Sequence, residues 1–129
     1  MPYPAPKMKE KIIAFMKDMH SHDARRVAEW FSEESMLWIP PSIQVTGCSR
    51  IKALFRAMFS RYDFLEWTII DILPIDDMRC IHICDSHGKL KGREAYRNRV
   101  ITDIVFNDAG KIVSLSDYFK DTSVFCAES

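Results

Sequence analysis

The sequence predicts an α+β fold in which three N-terminal helices cover one face of a curved antiparallel sheet and enclose a pocket. Helical periodicity fills the chain before residue 64, and everything afterwards has the pattern of strands separated by turns. Strands joined in this way pair as antiparallel neighbours, so helices and strands form two layers. A length of 129 residues with 47% hydrophobic side chains suits a single domain, which we expect to span 1–129.

Three helices are predicted in the first half of the chain. Asp23 and Ser49 are expected to cap the second and third, because an oxygen-bearing side chain can accept the unpaired N–H groups of a first turn. His20 and His22 flank the corner between the first two helices and are expected to be solvent-exposed or capping. The apolar side chains at helical spacing are, helix by helix, Ile12, Phe15, Met16 and Met19; Val27, Trp30 and Phe31; and Ile51, Leu54, Phe55, Met58 and Tyr62.

A short strand precedes the third helix, and four longer strands follow it. The segment 35–39 ends at Pro40 and Pro41, since proline cannot donate to a ladder. The longer strands are expected over about 64–74, 78–86, 92–106 and 111–119, with turns at 76–77, 87–88 and 107–110.

A sheet of this length around only three helices is expected to leave a cavity between its concave face and the helices, which suits a small apolar ligand. The convex face would be bare, so the default expectation is a homodimer that covers it.

The composition excludes several classes of partner. Eighteen basic and eighteen acidic residues balance, and no basic stripe carries exposed aromatic residues, so nucleic acid is not an expected partner. No apolar run approaches the roughly 20 residues that span a bilayer, so no membrane association is expected. The N-terminal residues lack an apolar stretch after a basic start, which makes the cytoplasm the default location.

Three segments resemble the nuclear transport factor 2-like superfamily, in particular its SnoaL-like, ketosteroid isomerase and limonene epoxide hydrolase branches. Residues 35–41 match the first strand of the family, residues 105–112 a hairpin of phenylalanine, turn and Gly-Lys-Ile, and residues 117–119 the Asp-Tyr-Phe that ends the last strand. With the order of elements, the resemblance covers nearly the whole chain. It implies a cone-shaped sheet around a pocket, in a superfamily that holds both enzymes and simple binding proteins.

The residues that ketosteroid isomerases require are missing. That branch has a tyrosine on the first helix, an aspartate base before the proline of the first strand and a protonated aspartate on the fourth strand. These positions fall on Phe15, Ile39 and Thr102. Threonine can donate a hydrogen bond, but it cannot abstract a proton from carbon near neutral pH.

The epoxide hydrolase set is also incomplete. In that branch two aspartates joined by an arginine hold an attacking water, helped by a tyrosine and an asparagine. The arginine and one aspartate fall near His82 and Cys84, and the tyrosine and asparagine near Leu37 and Ile39. Only the aspartate of the last strand is present, as Asp117.

The resemblance to SnoaL-like cyclases, which close rings on polyketide-derived substrates, implies a single acid/base aspartate, and Asp117 fits that position. No metal or organic cofactor is needed, because burial raises the pKa of a carboxyl group and lets it shuttle a proton. The strand alternation places Asp117 with Val113, Leu115 and Phe119, where it interrupts an apolar face. The alternatives are an ion pair with an arginine such as Arg97 or Arg99, or exposure at the end of the sheet.

His82 lies between Cys80 and Cys84 on one face of its strand. It is a candidate catalytic partner for Asp117 or, equally, a neutral histidine of the core.

Asn98 and Thr102 share one face of the fourth strand with Val100, Ile104 and Phe106, and the resemblance turns that face to the pocket. Arg97, Arg99 and Asp103 lie on the opposite face, where their mixed charge suits a solvated or subunit-contact surface. The expected substrate contacts are Phe15, Ile39, Cys84, Asn98, Thr102 and Phe119.

These residues predict a cofactor-independent cyclase or isomerase that acts on an apolar oxygenated molecule of polyketide or terpenoid type. Two alternatives remain open at this point. One is a non-catalytic ligand-binding or dimerisation domain, and the other is an epoxide hydrolase with a rearranged site.

Overall fold

The computed structural model describes residues 5–125, in which three α-helices precede most of a six-stranded sheet. The single-domain prediction for 1–129 therefore includes eight terminal residues outside the described part. The elements in chain order are α1 (Ala5–His20), α2 (Ala24–Ala28), β1 (Phe31–Trp38), β2 (Val45–Thr46), α3 (Cys48–Ser60), β3 (Tyr62–Pro74), β4 (Arg79–Leu90), β5 (Tyr96–Phe106), β6 (Ile112–Phe119) and a 3-10 helix, Ser123–Phe125.

The helices bury the apolar stripes that their periodicity predicts. In α3, Ile51 and Phe55 are fully buried, and Phe59 stacks on Phe55 with ring centroids 5.7 Å apart. The apolar stripe of α1 packs into the same core and consists of Met8, Ile12, Phe15, Met16 and Met19. Each fully buried side chain of this size stabilises the fold by about 2 kcal/mol.

Helix boundaries differ from the prediction at three places. Phe31 and Tyr62 open β1 and β3 instead of closing α2 and α3, because Phe31 pairs with Ile112 of β6 and Tyr62 with Leu90 of β4. Asp23 caps α2 as predicted, but Ser49 does not cap α3. Helix α3 begins two residues earlier than a cap at Ser49 implies, and its cap position is Gly47. The φ of +98° at Gly47 favours glycine, which has no side chain to cap the first turn.

The corner between α1 and α2 is fastened to the sheet by two histidines. His20 Nδ1 donates to the Met16 carbonyl (2.9 Å), and His20 Nε2 accepts from the Trp67 N–H (3.0 Å). His22 Nε2 donates to the Leu65 carbonyl (2.8 Å). His20 is exposed, as predicted, whereas His22 is half-buried. The prediction did not include their bonds to backbone groups on the outer edge of β3.

The sheet has the order β2-β1-β6-β5-β4-β3. Strands β3 to β6 are antiparallel neighbours, as their turns predict. However, β1 runs parallel to β6, so the sheet is mixed and not purely antiparallel. β1 and β6 lie far apart in the chain, so the local pattern of β1 could not reveal this pairing or its direction.

One predicted turn is part of a strand. His87 and Gly88, expected to end β4, remain paired with β3 and β5, and β4 continues to Leu90. Gly88 serves close packing here, since a Cβ would lie 3.0 Å from the Tyr96 hydroxyl and 3.0 Å from Leu65 Cδ1.

The two faces of β5 separate as predicted. Asn98, Val100, Thr102, Ile104 and Phe106 are buried, whereas the alternate residues face outwards. On β6 the alternation holds for Leu115 but not at its start, where Ile112 is buried in place of Val113. A register shift between β5 and β6 at that point accounts for the difference.

The convex face combines ion pairs with exposed apolar side chains. Arg99 pairs with Asp85 (2.8 Å) and Arg79 with Asp103 (2.6 Å), in line with the mixed charge expected there. The exposed apolar residues on the outer side of the sheet include Trp38, Ile101 and Tyr118.

Candidate functional site

A cavity of about 700 Å³ lies between the concave face of the sheet and helices α1 and α3. Its walls are mainly apolar and include Phe15, Ile39, Met58 and Trp67. This size and character fit a small organic ligand. The structure therefore has a pocket where the sequence predicts one, between the sheet and the helices.

Asp117 lies on the cavity wall, near the end of β6. Its Oδ1 accepts a hydrogen bond of 2.6 Å from the Thr102 hydroxyl, whose Cα is its cross-strand partner on β5. No described residue hydrogen-bonds the other oxygen, Oδ2. Neither Arg97 nor Arg99 pairs with Asp117, and Arg99 binds Asp85 on the opposite face.

The environment of Asp117 brings the pKa of its carboxyl group close to neutral pH. Desolvation raises the pKa of the group to about 7, while the hydrogen bond from Thr102 acts in the opposite direction. The same carboxylate contributes, after desolvation, to raising the pKa of the Cys84 thiol to about 12. Cys84 is therefore a neutral thiol and a poor nucleophile.

His82 lies on β4, opposite Thr102, and is only 1% exposed. Desolvation lowers the pKa of its imidazole to about 4, so the ring is neutral at physiological pH. Its Nδ1 is buried and has no hydrogen-bond partner. Leaving such an atom unsatisfied costs about 1–3 kcal/mol of folding stability.

The three polar residues form one row across the cavity floor, in the order His82, Thr102, Asp117 on adjacent strands. Strand spacing puts the first and third Cα atoms about 10 Å apart, with Thr102 between them. The hydrogen bond of Asp117 goes to Thr102, and His82 makes none with a described residue. The structure thus brings His82 and Asp117 to the same cavity without joining them directly.

Of the six predicted substrate contacts, five line the cavity: Phe15, Ile39, Cys84, Thr102 and Phe119. Asn98 does not. Its amide donates to the Asp121 carbonyl (2.8 Å) and accepts from the Asp121 N–H (3.1 Å), which ties the chain after β6 to β5. The predicted alternation placed Asn98 on the inner face correctly, but its polar groups are already occupied by backbone.

Sequence reasoning missed a polar group at the other end of the cavity. Tyr62, Tyr96, Arg61 and Arg93 line the wall there. Helical periodicity predicts Tyr62 on the stripe of the third helix, and the strand pattern predicts Tyr96 within a strand without a role in the site. The shared alternation of Tyr96 with Thr102 was the signal that could have identified it.

Similarity to known proteins extends over most of the chain. A family model described as SnoaL-like domain matches residues 12–115. No curated protein matches the sequence.

Several solved structures share the fold at low sequence identity. SalBIII, an epoxide hydrolase/cyclase-like enzyme of pyran ring formation in the polyether salinomycin, has 13% identity and a TM-score of 0.78, over 91% of this chain and 93% of that one. An epoxide hydrolase of the limonene epoxide hydrolase-like kind from M. tuberculosis has 20% identity and a TM-score of 0.72, over 86% and 80%.

An NTF2-like protein of unknown function from Exiguobacterium sp. 255-15 has 17% identity and a TM-score of 0.74, over 87% of this chain and 99% of that one. At these identities the matches show the fold alone. Separately, no described helix has both the length and the hydropathy needed to cross a membrane.

Proposed function

Because the chain belongs to the SnoaL-like domain family, we propose that it is a cofactor-independent cyclase or isomerase that acts on an apolar, oxygenated small molecule of polyketide or terpenoid type. The observation that carries this proposal is the Asp117 carboxyl, which lines an apolar cavity and is held by one hydrogen bond from Thr102. A carboxyl group kept only as a structural element would more often be paired with a cation.

Asp117 acts as the general acid/base. With a pKa near 7, both its protonated and its ionised forms are present at neutral pH, so it can accept a proton from the substrate and return one. Thr102 fixes Oδ1 and thereby leaves Oδ2 as the oxygen that exchanges the proton. Proton transfer by a positioned group of this kind accelerates a reaction by about 10²–10⁴-fold.

His82 orients the substrate. Its neutral ring lines the cavity and carries one N–H donor and one acceptor nitrogen, so it can donate to a carbonyl or ether oxygen or accept from a hydroxyl, according to the tautomer. A substrate whose oxygen bonds to His82 lies across Thr102, with a reacting atom within reach of Asp117. In this pose His82 polarises the substrate oxygen on one side of the reacting carbon, and Asp117 accepts the proton on the other side.

The convex face is proposed as the contact between two copies in a homodimer. Ile101 has Tyr118 and Ile83 as cross-strand neighbours there, and Ile101 and Tyr118 are 40% and 60% exposed. Trp38, 50% exposed, extends the same surface on β1. A grouping of large apolar side chains on one sheet face is typical of an association surface.

Turnover of a chemical panel tests the enzymatic proposal. The purified protein is incubated with hydroxy-epoxides, poly-β-keto esters and β,γ-unsaturated ketones, and products of unchanged mass or of added water are separated by chromatography and mass spectrometry. We expect an isomeric product from at least one compound. Asp117→Asn should lower its rate by about 100-fold or more, while circular dichroism shows an unchanged fold.

Asp85→Asn is the matched control, because that carboxylate pairs with Arg99 on the convex face and should leave turnover intact. A product that forms equally fast with Asp117→Asn would exclude Asp117 as the acid/base. A product with added water would instead favour epoxide hydrolysis. Tight binding of panel members without any conversion would indicate the non-catalytic alternative.

A further inference from the structure

The end of the cavity remote from Asp117 carries a pair of tyrosine hydroxyl groups. Tyr62 and Tyr96 approach each other across the cavity wall, with their oxygens 3.1 Å apart. One phenol donates to the other, so the accepting phenol still has its own hydrogen to give. Tyr96 precedes Thr102 by six residues on β5, which puts the pair roughly 20 Å along the sheet from the Asp117 row at about 3.3 Å per residue.

The backbone is shaped to admit these two rings. Gly88 is the cross-strand partner of Tyr96, and an added Cβ would lie 3.0 Å from the Tyr96 hydroxyl and 3.2 Å from Tyr62 Cε1. These separations are tighter than ordinary packing, so a side chain at Gly88 would push the phenols away. The backbone conformation at Gly88 would accept any residue, so glycine is needed here only because it leaves room for the two phenol rings.

Positive charge is concentrated at this same end. Arg61 lines the cavity where it meets solvent, and its backbone carbonyl accepts from the Lys91 N–H (2.9 Å), which fixes the end of α3 against the turn after β4. Arg61 is the chain neighbour of Tyr62, and both residues line the same part of the cavity wall. Desolvation and the Tyr96 hydrogen bond raise the pKa of Tyr62, and the charge of Arg61 acts in the opposite direction. Arg93 also lines the wall and donates to the Val124 carbonyl (3.1 Å).

The charges of the lining are thus asymmetric. Among the described residues that line the cavity, both arginines lie at the tyrosine end, and the single acidic side chain, Asp117, lies at the other. A ligand with one negative end would be attracted to the arginine end and repelled by an ionised Asp117.

We propose that Tyr62, Tyr96 and Arg61 form a recognition site for a substrate carboxylate, so that the natural substrate is an elongated apolar molecule that ends in a carboxylic acid. One phenol hydrogen and the guanidinium of Arg61 donate to the carboxylate. The apolar walls accommodate the body of the molecule, and the opposite end reaches the row of His82, Thr102 and Asp117. The orientation of the substrate, with its reacting end at Asp117, rests on the proposed function. The carboxylate site itself does not depend on that function.

Binding of two matched probes tests the site without any turnover. Octanoate and octanamide have the same apolar chain and differ only in charge, and their affinities can be measured by titration calorimetry at pH 8. We expect octanoate to bind about tenfold more tightly than octanamide, because hydrogen bonds to a charged group are the stronger ones. Arg61→Gln should remove that preference, with an affinity for octanamide within about twofold of the original.

Three further variants sharpen the result. Arg56→Gln is the matched control, since Arg56 lies on α3, just before Arg61 in the chain, but does not line this cavity. The double variant Tyr62→Phe/Tyr96→Phe removes both hydroxyls together, so neither remains unpaired, and it should weaken octanoate about tenfold. Gly88→Ala should also weaken octanoate while octanamide changes less.

Asp117→Asn separates this inference from the proposed function. It should preserve or increase the preference for octanoate, even though it abolishes turnover. Equal affinity for the two probes, or a preference that persists in Arg61→Gln and the double tyrosine variant, would overturn the carboxylate site. A preference that depends on Arg61 in a protein that converts no substrate would leave the site intact and contradict only the enzymatic function.

Discussion

Thr102 donates a 2.6 Å hydrogen bond to Oδ1 of Asp117, across the pair of strands β5 and β6. The two residues are Cα partners in the ladder, so the bond connects neighbouring side chains on the concave face. It is the contact through which the sheet both orients the carboxyl and moderates its pKa. The first prediction concerns this bond.

Thr102→Val should raise the pKa of Asp117 further above 7. Valine keeps the shape of threonine but removes the donor that stabilises the ionised carboxylate, and a shift of about one unit is expected for one such bond. Carbon-13 NMR of the labelled aspartate carboxyls would follow the titration. Thr102→Ser, which restores a hydroxyl, should return the pKa towards the original value, and an unchanged titration in both variants would show that the bond is absent in solution.

The stability of the protein should depend on pH through Asp117. The folded pKa near 7 is raised from an ordinary value near 3.8, so the folded state binds the proton more tightly. Its stabilising contribution is present below pH 3.8 and is lost as the pH rises through 7, by up to about 4 kcal/mol. Urea unfolding should therefore show Asp117→Asn to be more stable than the original protein at pH 8, with the difference vanishing near pH 4.

Asp85→Asn controls for the loss of one negative charge and should lack this pH-dependent gain. A pH-independent difference between Asp117→Asn and the original protein would mean that the Asp117 pKa is not raised.

His82→Leu should stabilise the protein and impair its function. The substitution removes a buried Nδ1 that has no partner, which is worth about 1–3 kcal/mol at pH 7. The gain should be larger at pH 5. Burial lowers the pKa of His82 from 6.5 to about 4 in the folded protein, so the unfolded chain binds a proton more readily. The original protein therefore loses stability as the pH falls from 6.5 through 4, and the leucine variant does not.

Urea unfolding at pH 7 and pH 5 measures both gains. Binding of an oxygenated panel compound should weaken in the same variant, because the proposed hydrogen bond to the imidazole is lost. If His82→Leu instead destabilises the protein at pH 7, then the imidazole forms a stabilising hydrogen bond in solution and its Nδ1 is not unsatisfied.

Ser35→Ala should destabilise the fold. Ser35 is fully buried at the register shift between β1 and β6, where its Oγ donates to the Ile112 carbonyl (2.5 Å) and accepts from the Ser32 N–H (2.7 Å). Alanine leaves both backbone groups without this partner, at a cost of about 2 kcal/mol in the free energy of unfolding. Ser60→Ala, at an exposed helix end, should cost less than about 0.5 kcal/mol in the same urea experiment.

Ile101→Glu should convert the proposed dimer into a monomer. A carboxylate in the middle of an apolar contact would be buried without a partner, which costs several kcal/mol of association energy. Sedimentation velocity at micromolar concentration would show the change in mass. Asp108→Lys, in the exposed turn before β6, alters charge away from that surface and should leave the dimer intact. A monomeric original protein would refute the dimer.

Local patterns were sufficient for much of the fold. The 3.6-residue stripes of α1 and α3, the cap at Asp23, and the turns between β3 and β4 and between β5 and β6 all depend on neighbours in the chain. The alternation of β5 likewise identified its inner face, including Thr102. Interactions within a few residues determine such features, so they can be seen in the sequence.

Features that depend on distant partners could not be predicted in this way. His87 and Gly88 resemble a turn, but pairing on both sides keeps them in β4. Asn98 lies on the expected face, yet Asp121 occupies its amide. In both cases a contact between segments far apart in sequence decided the outcome, and no local periodicity encodes such a contact.

The sequence by itself determined that Asp117 interrupts an apolar strand face within a domain of this fold. Only the tertiary structure decided what surrounds the carboxyl. The register of β4, β5 and β6 places Thr102 between Asp117 and His82, and the length of β4 brings Gly88 beneath Tyr62 and Tyr96. The physical reason is that strand register and close packing arise from many long-range contacts acting together, whereas alternation and helical periodicity follow from the geometry of the local backbone.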